Sequence, residues 1–272
     1  MKLIPLIVTL LPIISFAVVK RNDIPDENYQ KMAKEDFFAP IGRIQATKKS
    51  GTGVLISPNV VLTSAHTVFK DKKVKFILYN SLDKQTLYSG RVCPHEDFVY
   101  EVNKNNKPTF VKNDIALIFL DQAIENVKPV TLYKGNSFLE KKIYCCGFGK
   151  TGTGLKGPLI RDRKKRAFTN RIKKIKKLVG SDEYLICYFN SPKESSQVTE
   201  LEGCGAQGDS GAPVFIDEAN KKSVIGLLSL VSNKSKYNDF NAIIPIKSHL
   251  IWIEKKLSEE TKKNSDKIGC HD

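Results

Sequence analysis

The sequence lacks several features that would assign it to other classes of protein. After residue 20 it has no long apolar run, so the mature chain is not expected to span a membrane. It has no CxxC spacing and no histidine cluster, which argues against a structural zinc site. His95 and His271 are isolated in the sequence and are interpreted as surface residues. There is also no internal repeat.

Residues 1–17 are typical of a secretory signal peptide. Lys2 gives a positive start, an apolar stretch follows, and Ser15 and Ala17 place small residues where signal peptidase cleaves. The alternative is a membrane anchor, but the stretch is short and is interrupted by Pro5 and Pro12. We therefore expect cleavage after Ala17 and a secreted or periplasmic protein.

Secretion would expose the cysteines to an oxidising compartment, so we expect a disulfide framework. Six cysteines allow 15 complete pairings, and the sequence does not choose among them. Cys270 suggests that the polar C-terminal tail is tied back by a disulfide. The cysteines are Cys93, Cys145, Cys146, Cys187, Cys204 and Cys270.

Positive charge is in excess, with a formal net charge of +15. Such a surface favours acidic partners, such as acidic polymers or an anionic membrane surface. The densest basic run, Arg161–Lys177, has too few aromatic residues for a base-stacking surface, so no specific nucleic-acid partner is expected. The run is either a solvated loop and strand edge or a polyanion-binding surface.

From Phe38 onward the sequence consists of short β-rich runs separated by turns, which predicts an all-β sandwich or barrel. One helix is predicted over His249–Leu257, with Ser248 as its N-cap, because its apolar residues share one face. Strands are predicted over residues 51–56, 60–63, 74–79, 115–120, 142–146, 184–189, 212–215, 224–231 and 242–246.

Three segments carry candidate chemistry: Leu62–His66 delivers a histidine, Asn113–Ile118 begins with an aspartate, and Gln207–Pro213 holds a serine between glycines. Singly, each resembles an ordinary half-buried histidine, a turn or a loop. Together they fit one mechanism. A serine hydroxyl needs a general base, the base needs a carboxylate, and the oxyanion needs backbone N–H donors beside a glycine.

The motifs TSAH, NDIAL and GDSGAP, in this order, resemble those of the trypsin/chymotrypsin family over Phe38–Leu257. The segments Gly51–Ile56, Gly147–Gly149 and Leu228–Val231 also resemble family strands and turns, and Trp252 lies where the family's last helix carries a tryptophan.

The resemblance implies two six-stranded antiparallel β-barrels with the active site between them and a C-terminal helix. The domain boundaries we expect are residues 1–17 for the signal peptide, 18–37 for an N-terminal arm or propeptide, 38–128 and 129–247 for the barrels, and 248–272 for the helix and tail.

The resemblance also implies a serine endopeptidase that cleaves protein or peptide substrates, acts as a monomer and needs no metal or cofactor. In it Ser210 is the nucleophile, His66 is the general base and then acid, and Asp114 orients His66. The N–H groups of Gly208 and Ser210 form the oxyanion hole. The alternative is a catalytically silent relative that binds polyanions through a basic face.

The chain departs from the family pattern in its cysteines. Thr67 follows the histidine where the family usually has cysteine, and Ala212 replaces a usual glycine. Ile143 and Ile216 occupy the positions of a common disulfide. The disulfide framework of this chain is therefore its own.

Activation is a second departure. In many family members a freed Ile or Val N-terminus pairs with the aspartate before the nucleophile, which is Asp209 here. No Arg-Ile-Val-Gly-Gly junction precedes His66, and cleavage after Lys20-Arg21 would expose Asn22, a poor apolar N-terminus. The activation step is left open by the sequence.

The resemblance places Cys204, flanked by Gly205, at the floor of the pocket for the side chain that precedes the cut bond. Val231 and Asn241 match its walls, and the strand through Ser229, Leu230 and Val231 matches the one that pairs with substrate backbone. Because the floor carries no aspartate, we expect a preference for small or medium uncharged side chains.

Overall fold

The computed structural model describes residues 18–105, 107–180, 182–193, 195–231 and 234–268. The predicted signal peptide, Cys270 and His271 lie outside the described residues.

The N-terminal segment packs against the body of the protein. It forms strand β1 (Val18–Lys20), helix α1 (Asp26–Met32) and a 3₁₀ turn over Asp36–Phe38. Val18 and Val19 are fully buried. The sequence suggested a polar arm here, but its few apolar side chains enter the core.

A closed six-stranded barrel follows. The strands of this half are β2 (Ile41–Gln45), β3 (Ser50–Ser57), β4 (Val60–Thr63), β5 (Lys73–Tyr79), β6 (Gln85–Pro94), β7 (Val99–Val102), β8 (Pro108–Lys112) and β9 (Ala116–Leu120). The barrel has the strand order β2-β3-β4-β9-β6-β5, the short helix α2 (Ala65–Val68) follows β4, and β7 and β8 form a separate hairpin. β-branched or alternating apolar residues favour strands such as β4 and β5, and β9 is buried at every position.

The C-terminal half contains the strands β10 (Thr131–Leu132), β11 (Lys142–Gly147), β12 (Thr151–Thr153), β13 (Gly157–Ile160), β14 (Arg166–Arg171), β15 (Lys174–Lys177), β16 (Glu183–Tyr188), β17 (Gly203–Cys204), β18 (Pro213–Glu218), β19 (Lys221–Val231) and β20 (Phe240–Pro245). Eight of them form one sheet: seven in the order β14-β11-β18-β19-β20-β16-β15, and β10, which pairs with β19. A smaller sheet of order β13-β12-β1-β17 joins the N-terminal segment to this half.

The chain ends in a 3₁₀ turn over Ile246–His249 and helix α3 (Leu250–Ile268). One apolar cluster runs from Leu62 in the barrel through Phe215 in the second sheet to Trp252 on this helix. The two halves therefore share a continuous core. No helix in the described part of the chain is both long and apolar enough to cross a membrane.

The predicted all-β class, a closed six-stranded barrel and the C-terminal helix are confirmed, and the second sheet is consistent with a second barrel. Two pairings are parallel, β1 with β12 and β10 with β19, where the sequence predicted antiparallel strands throughout. The helix is longer than predicted and ends at Ile268. Ser248 is not its N-cap, because Ser248 lies inside the 3₁₀ turn and the helix begins two residues later, at Leu250. The Ser248 hydroxyl instead donates to the carbonyl of Pro245 at 3.0 Å.

The five cysteines within the described residues are free thiols, so the expected disulfide framework is absent from this part of the chain. Ile143 and Ile216 are direct cross-strand partners between β11 and β18, and both are buried. Apolar packing thus occupies the position where relatives place a disulfide. His95 is half-buried rather than a free surface residue, because its ring stacks on Trp252 with centroids 4.9 Å apart.

The basic run Arg161–Lys177 does not form one surface. Lys165 donates to the carbonyl of Phe38 at 2.5 Å, and Arg166 is fully buried. The strand Lys174–Lys177 is exposed at every position. A run that is continuous in sequence is therefore divided among several environments.

Candidate active site

The predicted triad residues His66, Asp114 and Ser210 lie together where the barrel meets the second sheet. Nδ1 of His66 is 2.7 Å from Oδ2 of Asp114, and Nε2 of His66 is 2.9 Å from Oγ of Ser210. The backbone N–H of His66 also donates to Oδ1 of Asp114 at 2.8 Å. The carboxylate therefore fixes both the backbone and the ring of the histidine, and the ring faces the serine hydroxyl.

A tight turn before β9 positions Asp114. Asn113 has a φ of 50°, and the N–H of Ile115 donates to the carbonyl of Asn113 at 2.7 Å. Asp114 is completely buried. Burial opposes its ionisation, but the attraction of His66 and hydrogen bonds from His66 and Ser229 outweigh burial and lower the pKa of Asp114. The carboxylate stays ionised beside the imidazole.

Ser229 was predicted as a substrate-binding residue, and its side chain has a different partner. Its hydroxyl donates to Oδ2 of Asp114 at 2.5 Å, the same oxygen that His66 contacts. This bond could not be predicted from the sequence, because Ser229 and Asp114 are far apart in the chain.

Two glycines shape the loop that carries Ser210. Gly208 has a φ of 106° and Gly211 has a φ of 80°, a region that residues with a side chain rarely adopt. A Cβ on Gly211 would also lie 2.3 Å from Oγ1 of Thr63. These positions require glycine, and the tight turn leaves Ser210 partly exposed at the surface of the cleft.

Thr52 of the barrel holds this loop in place. Its N–H donates to the carbonyl of Ser210 at 2.9 Å, and its hydroxyl donates to the carbonyl of Gly208 at 3.2 Å. The half of the protein that carries His66 is thereby bonded directly to the loop that carries the serine. Sequence reasoning noted this strand but assigned Thr52 no role.

Two backbone N–H groups are free beside the serine. Among the described residues no acceptor takes the N–H of Gly208 or that of Ser210. The carbonyl of Gln207 accepts from the N–H of Lys150 at 2.8 Å. Because the C=O and N–H of a trans peptide point in opposite directions, this bond turns the Gly208 N–H away from Lys150. The two free donors are those predicted for an oxyanion hole.

Asp209, next to the serine, is buried with two backbone donors. The N–H groups of Gly149 and Ala206 donate to it at 2.7 and 2.9 Å. Burial nevertheless raises the pKa of Asp209 to about 6, although these bonds and the charges of Arg166 and Arg161 act in the opposite direction. No ion pair between described residues involves Asp209.

The predicted pocket residues gather next to the serine loop. The N–H of Gly205 donates to Oδ1 of Asn241 at 2.8 Å, and Asn241 pairs with Val231 across β19 and β20. Cys204 has no exposed surface and packs in a small apolar cluster with Val19. Leu230 and Val231 are half-buried at the end of β19.

Two further residues contact His66 and were not singled out from the sequence. The ring of Tyr100, from the hairpin β7–β8, stacks on the imidazole with centroids 5.4 Å apart. Nζ of Lys49 donates to the carbonyl of His66 at 2.8 Å and lies 5.4 Å from the centre of the Tyr100 ring. Neither residue belongs to a recognisable motif.

A closed barrel joined to a second β-sheet, with His, Asp and Ser side chains in one hydrogen-bonded line between them, is the arrangement of the two-barrel class of serine peptidases. The family model described as Trypsin matches residues 32–253, and the chain belongs to the trypsin family.

Among curated proteins, phenoloxidase-activating factor 2 of Galleria mellonella is 36% identical over 117 residues. The match covers 39% of this chain and 37% of that protein, so the chain spans well under half of the length of this relative.

Proposed function

We propose that the protein is a serine endopeptidase that hydrolyses peptide bonds through an acyl-enzyme. The observation that carries this proposal is the line from Ser210 Oγ to His66 Nε2 at 2.9 Å and from His66 Nδ1 to Asp114 Oδ2 at 2.7 Å. A serine hydroxyl that only stabilised a loop would not need a base whose far side is fixed by a buried carboxylate.

In the first half of the reaction, Ser210 Oγ attacks the scissile carbonyl carbon and its proton moves to His66 Nε2. The carbonyl oxygen becomes an oxyanion, to which the N–H groups of Gly208 and Ser210 donate. Asp114 stabilises the imidazolium that forms. His66 then gives the proton to the departing amine, which leaves an ester on Ser210.

In the second half, His66 takes a proton from water, and the resulting hydroxide attacks the ester carbonyl. The same two N–H groups stabilise the second oxyanion, and the proton returns to Ser210 Oγ as the acid product leaves. Apart from the substrate and water, each step in both halves uses a group of this chain.

We also propose that residues 1–17 direct secretion and that their removal activates the protein. Cleavage after Ala17 would make Val18 the N-terminal residue, and Val18 and Val19 are fully buried. Val19 pairs with Cys204, in the segment that continues to Asp209. Freed apolar N-termini pair with the corresponding aspartate in many family members, and Asp209 is a buried carboxylate without an ion-pair partner among the described residues.

A serine-reactive fluorophosphonate probe tests the function. The chain that begins at Val18 should label and should hydrolyse a casein substrate, whereas Ser210→Ala and His66→Ala should each lose about 10³-fold or more of the turnover. Ser248→Ala is the matched control, because Ser248 is exposed and lies 38 residues after Ser210 in the chain. This variant should label with the probe and hydrolyse casein as the wild type does. Unlabelled but folded wild-type protein would favour the silent, polyanion-binding alternative instead.

A further inference from the structure

A cleft of about 520 Å³ opens beside the nucleophile, and its charge is entirely of one sign. Ser210, His66 and Gly208 form one end of it. Among the residues that the structure describes, no carboxylate lines the remainder and five cationic side chains do: Arg43, Lys48, Lys49, Arg161 and Arg163.

These five cations are not neutralised by the part of the chain that the structure describes. None of them takes part in an ion pair between described residues. Three of them donate hydrogen bonds to neutral groups: Arg43 to the Tyr79 hydroxyl at 3.2 Å, Lys49 to the carbonyl of His66 at 2.8 Å and Arg161 to the carbonyl of Gln207 at 3.4 Å. The nearby carboxylates have other partners. Asp162 binds Arg166 at 3.0 Å, and Asp71 accepts from the N–H of Thr47 at 3.2 Å.

Lys49 lines this cleft and its charged form is disfavoured there. Burial is the largest cause and lowers the pKa of Lys49, the charge of Asp114 acts in the opposite direction, and the charge of Lys70 adds to the effect of burial. A side chain whose charged form is disfavoured is stabilised when an anion binds next to it. The cleft is therefore suited to an anionic ligand.

The position of the cleft identifies which part of a substrate would enter it. The predicted pocket residues for the side chain before the cut bond, including Cys204, Val231 and Asn241, do not line it. His66 does, and in the proposed reaction His66 protonates the departing amine. A substrate chain that crosses Ser210 from the predicted pocket would continue into this cleft with the residues that follow the cut bond.

We propose that this cleft binds acidic side chains of the substrate on the leaving-group side, so that the protein cuts peptide bonds followed by Asp or Glu within the next few residues. The inference rests on the proposed function and adds the substrate class. An acidic peptide is favoured over an anionic polysaccharide because the occupant must also contact the serine and the oxyanion donors at the end of the cleft.

The test uses three peptides with the same sequence before the cut bond and Asp-Glu, Asn-Gln or Lys-Lys in the second and third positions after it. Wild type should show a kcat/KM about tenfold higher for the acidic peptide than for the amide one, and a preference that falls as salt rises. Lys48→Gln combined with Arg163→Gln should reduce the acidic-to-amide ratio to about threefold or less. Lys174→Gln combined with Lys176→Gln removes the same charge from exposed strand β15 and should leave the ratio unchanged.

A binding measurement separates this inference from the proposed activity. Ser210→Ala protein is titrated with the fluorescently labelled acidic and amide peptides and with a heparin fragment, at 50 and 200 mM salt. Tighter binding of the acidic peptide, weakened by the Lys48 and Arg163 substitutions, supports the inference even if no substrate is turned over. Equal binding of the two peptides would overturn it, and tight binding of heparin alone would assign the cleft to a polysaccharide.

Discussion

The guanidinium of Arg166 makes two hydrogen bonds to the carboxylate of Asp26, at 2.8 and 2.7 Å, with both side chains almost completely buried. Asp26 begins helix α1 and Arg166 begins strand β14, so the bond joins the N-terminal segment to the second sheet. Asp162 holds the other edge of the same guanidinium at 3.0 Å. The segment at residues 18–37 is thus fixed to the body of the protein by a buried charge pair, which is why we propose that it stays with the mature chain.

Asp26→Asn should lower the free energy of unfolding by about 3 kcal/mol, because it removes a charge that compensates a buried guanidinium. Asp162 still contacts the guanidinium of Arg166 in this variant. The loss of unfolding free energy should therefore lie at the lower end of the range for a broken buried ion pair. Thermal or urea unfolding measures it. Asp23→Asn is the matched control, since Asp23 pairs with Arg21 at the surface, and should cost about 1 kcal/mol or less. Equal losses for the two variants would contradict the anchoring role.

Ser229→Ala should reduce kcat/KM about tenfold by removing the hydroxyl that donates to Asp114. A hydrogen bond to a charged group contributes about 1.5–3 kcal/mol, and each 1.4 kcal/mol of lost transition-state stabilisation is about tenfold in rate. Ser223→Ala lies on the same strand and has no contact with Asp114, so it should retain wild-type rates. Steady-state kinetics on one peptide measures kcat/KM for both variants. Equal values would contradict a role for the hydroxyl of Ser229 in catalysis and would leave Ser229 only its predicted pairing with the substrate backbone.

The pH dependence of stability should reveal whether an N-terminal amine partners Asp209. Burial raises the pKa of Asp209 from 3.8 to about 6, so its protonated form favours the fold. Without a cation next to Asp209, protonation of this carboxyl contributes about 3 kcal/mol to the free energy of unfolding. The contribution is present in full below about pH 4 and is lost as the pH rises through about 6. A free Val18 ammonium would stabilise the carboxylate and remove that loss.

Two forms should therefore differ between pH 4 and 7: the chain beginning at Val18 and the same chain with Gly-Ser added before it. The melting temperature of the chain with the added Gly-Ser should fall between pH 4 and 7. The melting temperature of the chain that begins at Val18 should stay constant over this range, and this chain should react faster with the fluorophosphonate probe. Only the pH-dependent part is compared, so any constant cost of the extension cancels. Parallel curves would exclude the amine as the partner of Asp209.

The three side chains that lie in one hydrogen-bonded line each belong to a short motif, and the order of these motifs, which resembles that of the trypsin family, predicted that they would meet. TSAH ends a strand, NDIAL begins one, and the glycines of GDSG permit a turn that other residues rarely adopt, so each motif sets its own geometry. The contacts of Thr52 and Ser229 depend on how two distant segments approach each other, which no single segment encodes. The burial of Arg166 could not be predicted, because Arg166 lies in a basic run whose sequence is typical of a solvated loop. The carboxylate of Asp26, which compensates its charge, is 140 residues away in the chain.

Most of the predicted strands are present, but strand β6 could not be predicted from its own residues. β6 (Gln85–Pro94) is mostly exposed along its first half and carries few apolar residues, so it lacks the alternation that marks a strand. It is a strand because it closes the barrel between β5 and β9. The C-terminal helix was predicted to end at Leu257 because the apolar face ends there. It continues to Ile268, and the extension includes Glu259, Glu260, Lys262 and Lys263, which have good helix propensity.

The pocket for the side chain before the cut bond should accept small or medium uncharged groups. Cys204 supplies no negative charge, and a guanidinium placed there would be desolvated and unpaired, at a cost of several kcal/mol. The side chains of Leu228 and Val231 also lie close to Gly205, which limits the space in this pocket. A Cβ on Gly205 would lie 2.1 Å from Leu228 Cδ2 and 3.4 Å from Val231 Cγ1. Asn241 Oδ1 accepts a hydrogen bond from the N–H of Gly205, which fixes the position of this amide side chain.

Cleavage-site profiling with a peptide library measures this preference directly. Wild type should cut after residues such as Ala, Val or Thr, and Val231→Gly should extend the range to larger apolar side chains by removing one wall. Leu82→Gly, at an exposed turn remote from the cleft, should leave the profile unchanged. Predominant cleavage after Arg or Lys would contradict the prediction, since it would require a carboxylate to reach the pocket from another part of the chain.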